Sequence, residues 1–364
     1  MPVSAALYLD NNATAPLRPE AATAMQAAMG PPSNPSSVHG FGRTARLIVE
    51  NARAEIAILA GCRAADIVFT SGGTEANNLV LSGFDHVITT AIEHDSVLHA
   101  VPGATLVHVD RDGRIDLDHL AACLAAVPAE ARQKTLLSVM MANNETGVIQ
   151  PVEIIAEMGH AAGVAVHSDM VQMLGKVHLD FANSGLDYAT LSAHKIGGPT
   201  GVGAVLVRPG NRLTSVLRGG GQEQGRRSGT ENVLGIAGFG AAARAAFDDV
   251  GLYREMAGWR DAFEARMQDL RDDVAIFGSK AARLSNTSCI ALGDKPSEVM
   301  VMALDIAGIA VSAGAACSSG KVHESHVLKA MQAGTGAGCA VRISGGWQSQ
   351  AADFERLAEV MCDL

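Results

Sequence analysis

Ala189-Thr190-Leu191-Ser192-Ala193-His194-Lys195-Ile196-Gly197-Gly198-Pro199-Thr200-Gly201 is the stretch whose reading decides the fold. A short apolar run closes on Ser-Ala-His-Lys, and a glycine-rich turn follows. A lysine at a strand end, with hydroxyl and imidazole neighbours and a flexible turn behind it, suits Schiff-base chemistry. That chemistry requires an amine desolvated enough to be nucleophilic. The competing reading is a solvated lysine beside a turn, the commoner fate of lysines. The flanking sequence separates the two.

Upstream of this stretch the pattern alternates. Strand-like runs at 66–70, 86–89, 105–109, 135–141 and 164–168 are interleaved with helical patterns, one opening at about Glu75 and the others over about 94–100, 117–126 and 152–162. Alternation of this kind means βαβ units, a largely parallel sheet and ligands at the carboxyl ends of the strands. Before it come helical patterns over 19–28 and 42–59, separated by a proline-rich loop that no helix can cross. After it come one more strand over 204–207 and long helical patterns over 231–247 and 251–270. A smaller α/β unit follows, with strands near 274–276, 288–292 and 341–344 and helices near 297–306 and 351–361. Gly334-Thr335-Gly336-Ala337-Gly338 reads as a loop.

Composition narrows the function. Of the 364 residues 48% are hydrophobic but only 4% aromatic, so aliphatics and alanine must fill the core. A net charge of −10, with no basic run, excludes a nucleic-acid binder. No long uncharged apolar stretch predicts a membrane span, and the first residues lack the basic start of a secretory signal. The six cysteines, at 62, 123, 289, 317, 339 and 362, form no CxxC. They therefore announce neither a zinc knuckle nor a disulfide framework, and a reducing cytoplasm is expected. His323, His326 and Cys339 are too poorly spaced to predict a metal site.

Several motifs sit at strand ends. Ser71-Gly72-Gly73-Thr74 opens a helix whose free N–H groups suit a phosphate, although a plain N-cap explains it equally. His94 begins the next helix, placed either to stack on a planar cofactor or simply to bond backbone. Asn143-Asn144-Glu145-Thr146-Gly147 reads as a turn former or a ligand. Asp169, with Gln172 three residues on, is an N-cap or the partner of a pyridinium nitrogen. Cys317 lies in a small, polar run, Ser312 to Lys321, where an exposed thiolate can act as nucleophile. Cys62, Cys123, Cys289 and Cys362 read as small buried hydrophobes.

Taken together these segments resemble the cysteine desulfurases of the NifS/IscS type, within the class V aminotransferase group of fold-type-I pyridoxal-phosphate enzymes. The resemblance runs from Tyr8-Leu9-Asp10-Asn11-Asn12-Ala13-Thr14 to Val341-Arg342-Ile343-Ser344. Its most specific pieces are Asn34-Pro35-Ser36-Ser37-Val38-His39, Thr70 to Glu75, Asn143 to Gly147, Ser192 to Lys195, Arg227-Ser228-Gly229-Thr230 and Ala316-Cys317-Ser318. It implies a large domain over 15–250 with a mostly parallel central sheet flanked by helices. A smaller C-terminal α/β domain would comprise 251–364 together with 1–14. It further implies a homodimer that uses pyridoxal 5'-phosphate.

Roles follow from the same resemblance. Lys195 would carry the cofactor as a Schiff base, Asp169 would pair with its ring nitrogen, and His94 would stack on the ring. Gln172 and Asn144 would lie near the ring oxygen or the substrate. Gly73, Thr74, Ser192 and His194 would hold the phosphate, with Thr230 reaching in from a second subunit. Arg342, assisted by Asn34, would grip the carboxylate of L-cysteine. Cys317 would take the sulfur as a persulfide and pass it to an acceptor or an iron–sulfur scaffold protein, and the resemblance allows it to ligate a nascent cluster transiently. No resident metal is implied.

Three departures from the family pattern stand out, the last of them bearing on the acceptor. Gln224 stands where many relatives carry Arg, Ser344-Gly345-Gly346-Trp347 replaces Ser-Leu-Gly, and the chain stops at Leu364, short of the tail with which longer relatives dock a scaffold. A selenocysteine lyase or an aminotransferase of the same fold is the alternative reading. An inactive scaffold is disfavoured because Lys195, Asp169, His94, Cys317 and Arg342 are all present. A Rossmann dehydrogenase is disfavoured because no strand-linked GxGxxG occurs.

Overall fold

The structure is a computed structural model and describes residues 6–316 and 322–364. The chain opens with β1 (Leu7–Tyr8), α1 (Pro19–Ala28) and α2 (Gly40–Ala60). Then come β2 (Ile67–Thr70), α3 (Gly73–Leu81), β3 (His86–Thr90), α4 (Asp95–Leu98), β4 (Thr105–Val107), α5 (Leu117–Ala125), β5 (Thr135–Ser138), α6 (Val152–Ala162), β6 (Ala165–Asp169), β7 (Tyr188–Ser192) and β8 (Gly203–Val207). Two long helices, α7 (Val233–Asp248) and α8 (Val250–Leu270), lead into β9 (Val274–Ile276), β10 (Thr287–Leu292) and α9 (Ser297–Ile306). The chain ends with β11 (Ile309–Ala310), β12 (Ser312–Ala313), β13 (Ala315–Ala316), β14 (Val322–His323), α10 (His326–Ala330), α11 (Gly336–Cys339), β15 (Val341–Ser344) and α12 (Ala351–Cys362).

The central sheet has the order β2-β8-β7-β6-β5-β3-β4. β8 is antiparallel to both β2 and β7, and the remaining pairs are parallel. Strand sequence accounts for this placement. Ile67 and Phe69, Ala189 and Leu191, and Ala204 and Leu206 join the core on one face of the sheet. Val68, Tyr188, Val205 and Val207 join a second core on the other. Both faces are covered, so the strands read as unbroken apolar runs. The parallel course brings the carboxyl ends of β2, β3, β6 and β7 to one edge, where the site forms.

α2 buries Ala45, Val49, Ala52, Ile56 and Leu59, a spacing of three and four that presents one face. It starts where the His39 imidazole accepts from Gly42 N–H and stops at Gly61, which adopts the left-handed φ of 62°. α7 crosses it closely. A Cβ at Gly240 would stand 2.5 Å from Ala52 Cα, so a side chain there would force the helices apart.

A smaller antiparallel sheet, β12-β15-β10-β9, packs its own core of Leu9, Met256, Phe263, Ile290, Leu304, Val341 and Phe354. The N-terminal segment joins it: β1 pairs with β11, and Asp10 bridges to Ser344. That pairing is non-local and carries no signal in the sequence of either partner. Two expectations shift. The region of Gly334 to Gly338 is not wholly loop, because one helical turn, α11, forms at Gly336–Cys339. The helix expected over 94–100 is a single turn, Asp95–Leu98, and the chain turns at Pro102-Gly103 just beyond it.

Candidate active site

A cavity of about 390 Å³ opens at the carboxyl edge of the central sheet. Gly73, Thr74, His94, Asn144, Asp169, Gln172, Ser192, His194, Lys195 and Arg342 all line it. Two of the sequence-derived candidates stand apart. Asn34 is exposed and accepts from Ser36 N–H in its own turn. Thr230 is exposed in a separate hollow with Phe69, Ser71 and Arg227. Cys317 lies outside the described residues. The chain on either side of it reaches the cavity, through Ser312 and Gly314 before it and His326 after it.

Lys195 follows β7 in a short 3₁₀ turn that ends at Gly197. Its Nζ donates to the backbone carbonyls of Asn12 at 2.5 Å and Ala13 at 2.8 Å. Burial, and then the Arg342 guanidinium, lower its pKa to about 8, against the opposing pull of Asp169 and Asp10. A free base is therefore accessible near neutral pH. His194 is lowered to about 4, by burial and then by Lys195, so it is a neutral imidazole.

Asp169 ends β6 and is buried. Its Oδ1 accepts from Val171 N–H at 2.9 Å and its Oδ2 from Asn77 Nδ2 at 2.8 Å. Asn77 is itself fixed, because Thr190 Oγ1 donates to its Oδ1 at 2.7 Å and its Nδ2 also reaches Ser96 Oγ. The N-cap geometry and the site placement thus hold together for Asp169. His94 caps α4: its Nδ1 accepts from Ser96 N–H at 3.1 Å, so in the neutral ring the proton sits on Nε2. His94 is exposed and lines the cavity. Burial and Lys195 lower its pKa below the usual histidine value.

Arg342, on β15, points its guanidinium into the cavity from the smaller sheet. Nη2 donates to Asp10 Oδ1 at 2.6 Å and Nη1 to the Asn144 carbonyl at 3.3 Å. Nε is buried without a partner among the described residues. A buried guanidinium with unspent donors is suited to a planar anion. The first turn of α3 presents Gly73 and Thr74 to the same cavity. A Cβ at Gly73 would stand 3.1 Å from Val171 Cγ2, so glycine keeps the backbone open toward the cavity.

Sequence reading left four contributors unassigned. Asn12 supplies the carbonyl that holds Lys195, and Asn77 orients Asp169. Glu145 is buried, accepts from Ser325 Oγ at 2.5 Å and lies where a Cβ at Gly314 would come within 2.7 Å of its Oε2. It therefore touches both segments that flank 317–321. His326 donates from Nε2 to the Glu93 carbonyl at 2.9 Å. Asn143 proves to be the turn former, since its Oδ1 accepts from the N–H groups of Glu145 and Thr146. The available signal was adjacency: Asn12 and Glu145 each lie inside a motif already singled out, whereas His326 adjoins none.

The cysteines differ. Cys289 is fully buried, and burial pushes its thiol up well beyond the usual range. Cys62 is pushed up to about 12, also by burial first. Cys62, Cys123 and Cys362 are half-buried rather than core residues.

Known proteins resemble this chain over nearly its whole length. The family model for aminotransferase class-V matches residues 7–357. A cysteine desulfurase of Cereibacter sphaeroides is 40% identical, covering 98% of this chain and 94% of that one. A cysteine desulfurase IscS of Dictyoglomus turgidum is 36% identical, covering 89% of this chain and 85% of that one. The solved structure of a NifS-like protein from Rickettsia africae superposes with a TM-score of 0.91 at 34% identity, covering 98% and 99% of the two chains.

Proposed function

Because the chain belongs to the class-V aminotransferase family, and within it to the pyridoxal-phosphate-dependent cysteine desulfurases, we propose that the cavity removes sulfur from L-cysteine, releases L-alanine and delivers the sulfur through Cys317. The observation that carries this reading is the convergence of Lys195, Asp169 and Arg342 on one cavity from three separate strand ends.

The donor set fits the cofactor. A lysine amine of lowered pKa is available for its aldehyde and a buried carboxylate for its ring nitrogen. The α3 N-terminus with Thr74, Ser192 and His194 offers uncharged donors for a phosphate. In this proposal Lys195 would hold the cofactor covalently, Asp169 its ring nitrogen, and Gly73, Thr74, Ser192 and His194 its phosphate. His94, Gln172 and Asn144 would hold its ring. When bound, the cofactor supplies an electron sink for the substrate Cα.

The chain's own groups do the rest. Arg342 binds the substrate carboxylate and orients Cα. The Lys195 amine takes the Cα proton and returns a proton later in the sequence, which its lowered pKa permits in both directions. His94, neutral with Nε2–H, offers a donor at the same cavity. The Cys317 thiolate attacks the substrate sulfur and the C–S bond breaks. Its electron pair stays on the three-carbon fragment, which takes a proton and leaves as alanine, and Cys317 keeps the sulfur as a persulfide. An acceptor protein or iron–sulfur scaffold then removes it.

We further propose a homodimer. Val38, Phe41 and Leu47 are exposed at 90%, 57% and 60%, a clustered apolar face on and before α2 that a second copy would cover. A second copy would also give the exposed Thr230 a site to enter. Two domains, 15–250 and 1–14 with 251–364, fit the separate core of the smaller sheet and the helix break at Asp249. No helix among the described residues is long and apolar enough to cross a membrane. The free thiols favour a reducing cytoplasm.

A single turnover with L-cysteine, following alanine and protein-bound persulfide, tests the proposal. Equal yields in the wild type, both lost in Cys317→Ala, are expected. Alanine formation that survives in the variant would favour the lyase or aminotransferase reading.

A further inference from the structure

Lys176 borders the site without entering the chemistry above. It is 4% exposed, and among the described residues no carboxylate pairs with it. Its Nζ donates to two neutral oxygens, Asn12 Oδ1 at 2.9 Å and Gln172 Oε1 at 3.0 Å. Burial, followed by the positive charges of Lys195 and Arg342, holds this amine well below the usual lysine range. A neutral amine has two N–H groups, and here each has its acceptor.

Asn12, the first of those partners, is 1% exposed and saturated. Its Oδ1 accepts from Lys176 and from Asn286 Nδ2 at 3.1 Å. Its Nδ2 donates to the Asn144 carbonyl at 3.1 Å and to Thr287 Oγ1 at 2.9 Å. Its N–H donates to Ser344 Oγ at 3.0 Å. Its backbone carbonyl accepts from Lys195 Nζ and from Gln172 Nε2. The two donors at Oδ1 forbid the flipped amide, which would turn an NH₂ group toward Lys176 and Asn286. Lys176 likewise fixes Gln172, because a lysine amine on Oε1 leaves Nε2 for the Asn12 carbonyl.

We infer that Lys176 is a positioning residue for Lys195: by clamping the side chains of Asn12 and Gln172 it holds the Asn12 carbonyl where the Lys195 amine finds its acceptor. The inference rests on Lys195 as the reactive amine of the proposed function. It assigns Lys176 no contact with substrate. Lys195 is faced by Asp10 from the N-terminal turn, Asp169 from β6, Arg342 from β15, and His94 and His194 from the cavity wall. None of these hydrogen-bonds Lys176 among the described residues.

The test is the reactivity of Lys195 in the full chain freed of cofactor. Fluorodinitrobenzene labels unprotonated amines, and mass spectrometry of the Lys195 peptide gives the labelling midpoint against pH. Wild type should titrate near pH 8. In Lys176→Met the midpoint should fall by about one unit, the size expected when an ammonium loses one charge-assisted hydrogen bond. Lys176→Gln, which keeps amide N–H donors, should recover part of that shift, and it decides the matter if the Met variant does not fold. An unchanged midpoint would show that Asn12 is held without Lys176. A raised midpoint would show that Lys176 acts as a positive charge and not as a clamp; either result overturns the inference. The labelling needs no turnover, so it can fail while the desulfurase reading stands, and the reverse.

Discussion

Asn77 Nδ2 donates to Asp169 Oδ2 across 2.8 Å, from the helix after β2 to the end of β6. Among the described residues it is one of two donors on that carboxylate, and the other is the Val171 backbone N–H. Asn77→Ala would leave a buried carboxylate oxygen without its donor, a cost of about 1–3 kcal/mol. Cofactor retention through gel filtration, read by visible absorbance, should drop, and alanine formation should fall about tenfold or more. Retention and turnover equal to wild type would mean that the Val171 N–H alone orients Asp169.

Arg342 presents a guanidinium of which Nε is unspent and Nη2 is tied to Asp10. Lys at this position keeps the charge but loses the planar fork. The KM for L-cysteine in Arg342→Lys should rise about 10–100-fold, the worth of one hydrogen bond between charged groups, with a smaller change in kcat. A kcat effect with an unchanged KM would remove Arg342 from carboxylate binding.

The strained loop before α7 depends on one buried ion pair. Glu223 and Gln224 adopt φ of 47° and 59°, left-handed values that non-glycine residues avoid. Arg53 holds Glu223 in a bidentate pair at 2.8 and 3.0 Å, and Glu223 also accepts from Phe69 N–H at 2.9 Å. Glu223→Gln should destabilise the fold by about 1–3 kcal/mol, because Arg53 loses its buried counter-charge and keeps only the exposed Glu50, at 3.2 Å. Denaturant unfolding measures this, and a loss under about 1 kcal/mol would contradict it.

His167 titrates against the fold. It is fully buried, its Nδ1 faces Ser138 Oγ at 2.8 Å, its Nε2 has no partner among the described residues, and burial lowers its pKa to about 4. Above the unfolded value of about 6.5 both states are neutral and no cost arises. As pH falls below that value the unfolded chain takes the proton first, so stability declines until the folded group titrates as well. The decline should total about 3 kcal/mol. His167→Asn should remove that part of the acid limb, measured as the difference between the two unfolding curves. Parallel curves for variant and wild type would refute the burial of a neutral ring.

Much of this molecule was legible from the sequence. The helices at Pro19–Ala28, Val152–Ala162 and Ser297–Ile306 end where periodicity and punctuation put them, because each buries one face and meets proline or glycine nearby. The strands of the central sheet were legible because burial on both faces leaves an unbroken apolar run. Candidate ligands at strand ends were legible because a parallel sheet delivers its loops to one edge. Asn12, Asn77 and Glu145 were not, because each acts through a partner far along the chain: Asn12 on Lys195, Asn77 on Asp169, Glu145 on Ser325.

The sequence by itself determined the family, the element order and the chemistry the chain carries, since those depend on residue types and local spacing. Only the tertiary structure decided that Lys195, Asp169 and Arg342 share one cavity while Asn34 and Thr230 do not line it. It also decided that Lys176, unremarkable in the sequence, is buried against two amides. The physical reason is the same in each case. Burial, desolvation and the partner of a hydrogen bond are set by what packs against a residue, and across sheets and between distant loops that neighbour is not encoded nearby in the chain.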